Sequence, residues 1–279
     1  MSQLCEIIAS VVTASAPMTV RQVFYQLVSL GVIEKTEGEY RSVVVRLLTK
    51  LRVEGALPWQ CITDGTRWMH KSSRYGSIEE ALRETSRHYR RDYWRELDHY
   101  VEVWLEKDAL AGVLFGVTDA WGVPLMVTRG FASLSYIHNA ADAIERVAKP
   151  TYIYYFGDYD PSGLEIDRNL ERRLREFAPR ADINFERVAV RRQQIEQYDL
   201  PTRPTKAMTS HGLGLHEGDS VEVDAIPPAV LLDLVRGSIE RHVDRARVAV
   251  LEAAEASERE LLGGLPAMIR RREGANVGG

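Results

Sequence analysis

The sequence predicts an α/β protein in which a short helical module precedes a mostly parallel sheet and further helices close the chain. Two patterns carry this expectation. From Tyr100 to Val190, strand-like and helix-like runs alternate, which is the grammar of a parallel sheet covered on both faces. Before Tyr100 the apolar residues recur mainly at helical spacing, and strand-like runs appear only after Gly55. Composition agrees, because 279 residues that are 45% hydrophobic and 27% charged can fill one large core or two modest ones, which excludes disorder as the overall state.

Taken in order, Leu4, Ile7, Ile8, Val11 and Val12 form one face of a first helix, and the acidic Glu6 with no basic lead-in argues against a secretory leader. Thr19 caps a second helix that runs through Val20, Val23, Phe24 and Leu27 to Gly31. Tyr40 to Glu54 repeats Val43, Val44, Leu47, Leu48 and Leu51 as a third. LPWQCITD and TRWMHK then read as two strands hinged on Asp64-Gly65, a hairpin that makes the three-helix module winged. Ser77 to Leu97 opens on a Ser-x-x-Glu capping box and reads as a charged linker helix. Beyond it, strands fall at 100–106, 123–128, 151–156 and 183–190, with helices over Asp108 to Ala120, Ser133 to Ala148 and Ser162 to Phe177. A loop rich in proline and glycine follows from Pro201 to Ser220, VEVDAI restores a strand, and helices over Pro227 to His242 and Asp244 to Arg272 close the chain. The domains expected are 1–75, a linker helix 76–98, a sheet domain 99–245 and a C-terminal helix and tail 246–279.

Lysine and arginine number 36 against 40 acids, so the surface is not basic throughout and any polyanion site is local. Between Tyr40 and Tyr75 the balance reverses: Arg41, Arg46, Lys50, Arg52, Arg67, Lys71 and Arg74 face only Glu54 and Asp64. On a third helix followed by a wing, Arg41, Arg46, Lys50, Arg67 and Lys71 are the candidate duplex-DNA contacts. Cys5 and Cys61 stand far apart without a zinc-type pattern, and no apolar run reaches bilayer length, so a cytoplasmic protein with no membrane association is expected.

In a parallel sheet, ligands gather beyond the carboxyl ends of the strands. The first strand ends in Glu106-Lys107-Asp108, and the third runs through Gly157 into Asp158-Tyr159-Asp160-Pro161-Ser162-Gly163. Glu106, Asp158 and Asp160 offer hard oxygen ligands suited to Mg2+, with Mn2+ as a substitute. An isolated D-x-D is also a common helix cap, so Asp160 has a purely structural reading beside the chemical one. His211 and His216, with Glu217 and Asp219, read first as a polar loop, and Lys107 as a counter-charge.

These motifs, V-W-L-E-K-D-A (Val103 to Ala109) and F-G-D-Y-D-P-S-G (Phe156 to Gly163), resemble the Toprim domain, a Rossmann-like fold with a mostly parallel sheet. With R-Q-V-F-Y (Arg21 to Tyr25) on the second helix of a winged module, the chain is similar to the topoisomerase VI A subunit and meiotic double-strand-break transesterase family, in a compact stand-alone form of the kind called Mini-A. The order of elements agrees over about residues 15 to 245, although Phe24 stands where the family often has a second tyrosine and no ATPase segment is present. The resemblance implies a winged-helix domain followed by a Toprim domain, with Tyr25 as DNA-cleaving nucleophile. From the residue types, Arg21 one turn before Tyr25 reaches the phenolate or the phosphate, and Glu106 either holds the metal with Asp158 and Asp160 or exchanges a proton with the leaving sugar oxygen. The resemblance also implies a homodimer in which each tyrosine meets its partner's metal site, and a separate ATPase subunit as a potential partner. Glu222 and Asp224 resemble an acidic strand that the family places near its metal. Two other readings stand beside it: a Toprim endonuclease that uses water, and a non-catalytic DNA-binding protein.

Overall fold

The computed structural model describes residues 2–63, 74–204 and 219–276. The elements run α1 (Ser2–Ser15), α2 (Val20–Ser29), α3 (Glu37–Glu39), a π-helical stretch Tyr40–Val45, α4 (Arg46–Val53) and α5 (Ile78–His88). Then follow β1 (Tyr100–Leu105), α6 (Ala111–Ala120), β2 (Leu125–Val127), α7 (Leu134–Val147), β3 (Thr151–Phe156), α8 (Pro161–Phe177) and β4 (Ile183–Ala189). The chain continues through α9 (Arg192–Gln197), β5 (Arg203–Pro204), β6 (Asp219–Ser220), α10 (Pro228–Glu240) and α11 (Arg245–Asn276). Among the described residues no helix is long and apolar enough to cross a membrane. The chain forms two compact units, Met1–Arg67 with Asp98–Ile239, and Trp68–Leu97 with Glu240–Gly279.

The first unit holds both the N-terminal helices and the sheet. Thr19 begins α2 with a reciprocal cap, its hydroxyl accepting from Gln22 N at 3.1 Å while Gln22 Oε1 accepts from Thr19 N at 2.9 Å. That start turns Val23, Phe24, Tyr25 and Leu27 inward, where Leu47, Leu48 and Leu51 of α4 are also buried. LPWQCITD does not form the expected strand. Pro58 lacks an amide hydrogen, Trp59–Cys61 curls into a 3-10 turn, and among the described residues pairing survives only as the Met18–Ile62 bridge, with Met18 N donating to Cys61 O at 3.0 Å. The hinge Asp64-Gly65 and TRWMHK lie outside the described residues.

All four strands of the main sheet are parallel, in the order β2-β1-β3-β4. The chain steps from β1 outward to β2, then crosses back to place β3 on the other side of β1, so the topological switch point lies between β1 and β3. Trp104, Ile153 and Tyr155 bury one face against Ile137, Ala141 and Ile144 of α7 and Ile166, Leu170 and Leu174 of α8. Val101, Val103, Leu105, Tyr154 and Phe156 alternate to the other face and are buried as well, which is why the strands read as apolar runs. The VEVDAI strand is also absent. Val221 exchanges backbone hydrogen bonds with Tyr159 at 2.8 and 3.0 Å, and Val223–Ala225 then turns as a 3-10 helix, so this segment follows the loop beyond β3 instead of the sheet.

In the second unit the expected linker helix stops at His88, because Tyr89 is extended (φ -60, ψ 127) and Asp92 caps a separate turn over Tyr93–Arg95. Glu80 does not complete a capping box with Ser77, since its carboxylate accepts from Gly76 N at 2.6 Å. The buried Glu255 of α11 accepts from Arg91 N at 2.9 Å and from the Tyr93 hydroxyl at 3.2 Å, and Glu258 accepts from the Tyr89 hydroxyl at 2.7 Å. α11 runs to Asn276, past the end expected near Arg272.

One acid sits within the sheet core. Glu102, 4% exposed, accepts from Trp104 Nε1 at 2.7 Å, and burial raises its pKa to about 7 against hydrogen bonds from Trp104 and Tyr100 that lower it. A carboxylate that resists ionisation in the folded state costs nothing below its ordinary value of 4.5, and its cost grows with pH until it is complete above about 7. Glu102→Gln should therefore be more stable than wild type by about 3 kcal/mol at pH 8 and by about half of that at pH 5.5, as read from urea unfolding. An equal difference at both pH values would show that ionisation is not the cause.

Candidate functional site

The switch point brings Glu106 and Asp158 side by side. Glu106 N donates to Phe156 O at 2.9 Å, which continues the β1–β3 ladder one residue past the strands and sets Glu106 beside Gly157. Its carboxylate then accepts from Asp158 N at 3.0 Å and from the Tyr155 hydroxyl at 3.4 Å. Two glycines permit this. A Cβ on Gly157 would lie 2.6 Å from Glu106 Oε2, and one on Gly163 would lie 2.2 Å from Asp158 O. The D-x-D is thus a tight loop around the glutamate, and its residues do not alternate across a strand.

Asp160 is the N-cap of α8, its Oδ1 accepting from Gly163 N at 2.6 Å ahead of Pro161 at the first helical position. The capping role is compatible with proximity to the acids, and the Asp160 charge raises the pKa of Glu106. Asp158 is held on both oxygens, Oδ1 by Val223 N at 2.9 Å and Oδ2 by Lys107 Nζ at 3.2 Å. Burial pushes the Asp158 pKa up to about 6, with Lys107 opposing it and Glu106 adding to it, and burial likewise raises Glu106. These carboxylates are therefore poised to gain from any additional positive charge.

Lys107 also reaches Glu222 at 2.8 Å and Asp224 at 3.0 Å. The pair Glu222 and Asp224, expected on a sheet strand, arrives instead through the turn after Val221. Arg203 binds the other oxygen of Glu222, and Arg21 Nε lies 4.0 Å from its Oε2. Together Arg21, Tyr40, Glu106, Lys107, Arg129 and Asp224 line most of an open cleft of about 430 Å3. The Arg21 guanidinium stacks 4.3 Å above the Tyr40 ring, and Arg129 pairs with Asp108 at 3.1 Å. Among the described residues no three His, Cys, Asp or Glu side chains form a preformed cation cage. The donor chemistry of Glu106, Asp158 and Asp160 nevertheless fits a hard divalent ion, being all carboxylate oxygen.

Tyr25 lies behind this cleft, 1% exposed, with the Lys35 ammonium 5.3 Å from its ring centroid. Burial raises its pKa, while Lys107, Arg203 and Arg21 act in the opposite direction, so the phenol lies in the field of the cleft's own cations. Of the candidate DNA contacts, Arg41, Arg46 and Lys50 are exposed on the π-helical stretch and α4. Arg41 pairs with Glu37 at 2.8 Å, Lys50 with Glu54 at 3.8 Å, and Arg46 donates to Ser42 O at 3.0 Å. Arg67 and Lys71, like His211, His216 and Glu217, lie outside the described residues.

Sequence reasoning missed Arg187. Its guanidinium binds Asp167 and donates to the carbonyls of Gly157 at 3.1 Å, Asp158 at 3.1 Å, Val190 at 3.3 Å and Gly163 at 2.8 Å. A register shift opposite Tyr155 and Phe156 lies beside it. A legible signal existed, because an arginine inside the strand INFERVAV of a sheet covered on both faces needs buried partners.

The chain matches no family model, no curated protein and no solved structure in comparisons with each.

Arg187→Met keeps the aliphatic stem but leaves Asp167 unpaired and removes a donor from four carbonyls, so a loss on the order of 3 kcal/mol in urea unfolding is expected. A loss below about 1 kcal/mol would mean that water replaces the guanidinium and that the loop does not depend on it.

Proposed function

We propose that the chain is a topoisomerase VI A-like protein that cleaves duplex DNA by magnesium-dependent transesterification, with Tyr25 as nucleophile. The observation that carries this reading is the meeting of Glu106 and Asp158 at the β1/β3 switch point, with Lys107 on Asp158 and Arg21 in the same cleft. The proposed arrangement is a winged-helix module followed by a Toprim domain. Glu106, Asp158 and Asp160 would hold the ion, which when bound would draw charge from the nonbridging phosphate oxygens.

In this reading the phenol oxygen of Tyr25 attacks phosphorus, its proton leaves to solvent, and the bond from phosphorus to the sugar oxygen breaks. Arg21 stabilises the charge growing on phosphate. The departing sugar oxygen takes up a proton from solvent, or, as the alternative to holding the ion, from Glu106. Because the phosphodiester energy is retained in the protein–DNA ester, the step is reversible. A homodimer, with an ATPase subunit as a separate partner, belongs to the same proposal. Arg41, Arg46 and Lys50, together with Arg67 and Lys71, supply the duplex contacts. A second reading, a nuclease that uses water at the same acids, is favoured by one observation: at 1% exposure the Tyr25 side chain must be uncovered before it can attack.

Supercoiled DNA incubated with Mg2+, then denatured with and without protease, separates the two. Wild type should leave breaks with protein attached, and Tyr25→Phe should fold and bind DNA but yield no breaks. Protein-free breaks from both would replace the transesterase with the nuclease.

Binding is tested separately. Arg46→Glu with Lys50→Glu should lower the slope of log affinity against log salt by about two, close to one for each phosphate that is no longer neutralised. An unchanged slope would return α4 to an ordinary solvated face.

A further inference from the structure

The cation already present among the acids is Lys107. Its ammonium has three N–H donors and meets three carboxylates, Asp158 at 3.2 Å, Glu222 at 2.8 Å and Asp224 at 3.0 Å. Those side chains are 14, 16 and 2% exposed, so water contributes little to holding their charges. We propose that Lys107 is a resident cation that fills a second cation position, bounded by Asp158, Glu222 and Asp224, and so limits the acid cluster to one divalent ion. The proposal rests on the reading of Glu106, Asp158 and Asp160 as the ligands of that ion.

Three features support it. Lys107 follows Glu106 directly, so the strand end that presents the glutamate also delivers the ammonium to the far side of Asp158, which touches both groups. Asp224 Oδ1 is buried and has no hydrogen-bond partner, although Oδ2 faces Lys107. The Lys107 ammonium is thus the group that answers the charge of this buried carboxylate. A divalent ion at the Lys107 position would have to evict the ammonium, because it would need the same space and the same three carboxylates. The position therefore holds lysine or a metal ion, and the sequence supplies lysine.

Mn2+ serves as the probe, with stoichiometry read from calorimetry and from the paramagnetic signal of free ion, on the full chain without DNA. Wild type and Lys107→Arg should each bind one ion, and Lys107→Met, which keeps the length but not the charge, should bind two. Equal stoichiometry and affinity in wild type and Lys107→Met would overturn the proposal. Should Lys107→Met fail to fold by circular dichroism, Asp224→Asn decides, since it should leave the single ion bound with less than a threefold change in affinity. Loss of that ion in Asp224→Asn would show that Asp224 serves the metal and not Lys107, which also overturns the proposal. Absence of binding to wild type would remove the metal reading of Glu106, Asp158 and Asp160. In that case a single ion gained by Lys107→Met would uphold the resident-cation role, and none gained would end both.

Discussion

Holding Glu106, Asp158, Glu222 and Asp224 together against their mutual repulsion is the constraint around which the carboxyl end of the sheet is built. Each carboxylate has a dedicated answer. Glu106 takes a backbone amide and a phenol, Asp158 takes another amide and an ammonium, and Glu222 and Asp224 share that ammonium. Burial still lifts Glu106 and Asp158 above their ordinary pKa values, so these contacts do not fully replace lost water. Structural folding alone has little use for such a gathering. The proposed reading, a site that receives a polyanion together with a cation, gives it one.

The constraint reaches backward into the fold. The loop after β3 closes on itself because Gly163 carries no Cβ to meet Asp158 O, and Arg187 holds that loop by its carbonyls from inside β4. Asp160 starts α8 at the point where the loop ends, so one side chain both begins a helix and adds its charge to the cluster. Val221 leaves the sheet to pair with Tyr159, and this detour, not a fifth parallel strand, brings Glu222 and Asp224 to Lys107. Packing and site geometry are thus properties of the same few residues.

The N-terminal helices enter the site through Arg21 and Tyr40, which line the cleft, while Tyr25, four residues on from Arg21, turns inward beneath it. The reciprocal Thr19–Gln22 cap sets the rotation of α2 and therefore decides which of these side chains faces out. A phenol in the field of three cations but shielded from solvent is chemically restrained until its surroundings open. That restraint suits a nucleophile whose ester must not form at random, and it suits a core tyrosine equally well.

The sequence by itself determined the parallel sheet, because strands buried on both faces must read as apolar runs, and it determined that Glu106 and the D-x-D end neighbouring strands, because those residues follow directly on them. Thr19 and Asp160 were legible as caps because capping is local, set by residues three apart. What depends on distant segments was decided only in the tertiary structure. LPWQCITD and VEVDAI carry strand-like side chains, yet a strand exists only if an edge accepts it, and Met18 and Tyr159 instead drew one residue from each into isolated bridges. Arg187 carried a local signal, an arginine inside an apolar strand, and Lys107 read as a counter-charge, but nothing in linear order reveals that they bind Asp167 and Gly157, 20 and 30 residues away, and Asp158 and Asp224, 51 and 117 residues away. Their roles follow from low-dielectric burial, where a charge is held by whatever the fold brings within 3 Å, and that set is a property of three-dimensional packing alone.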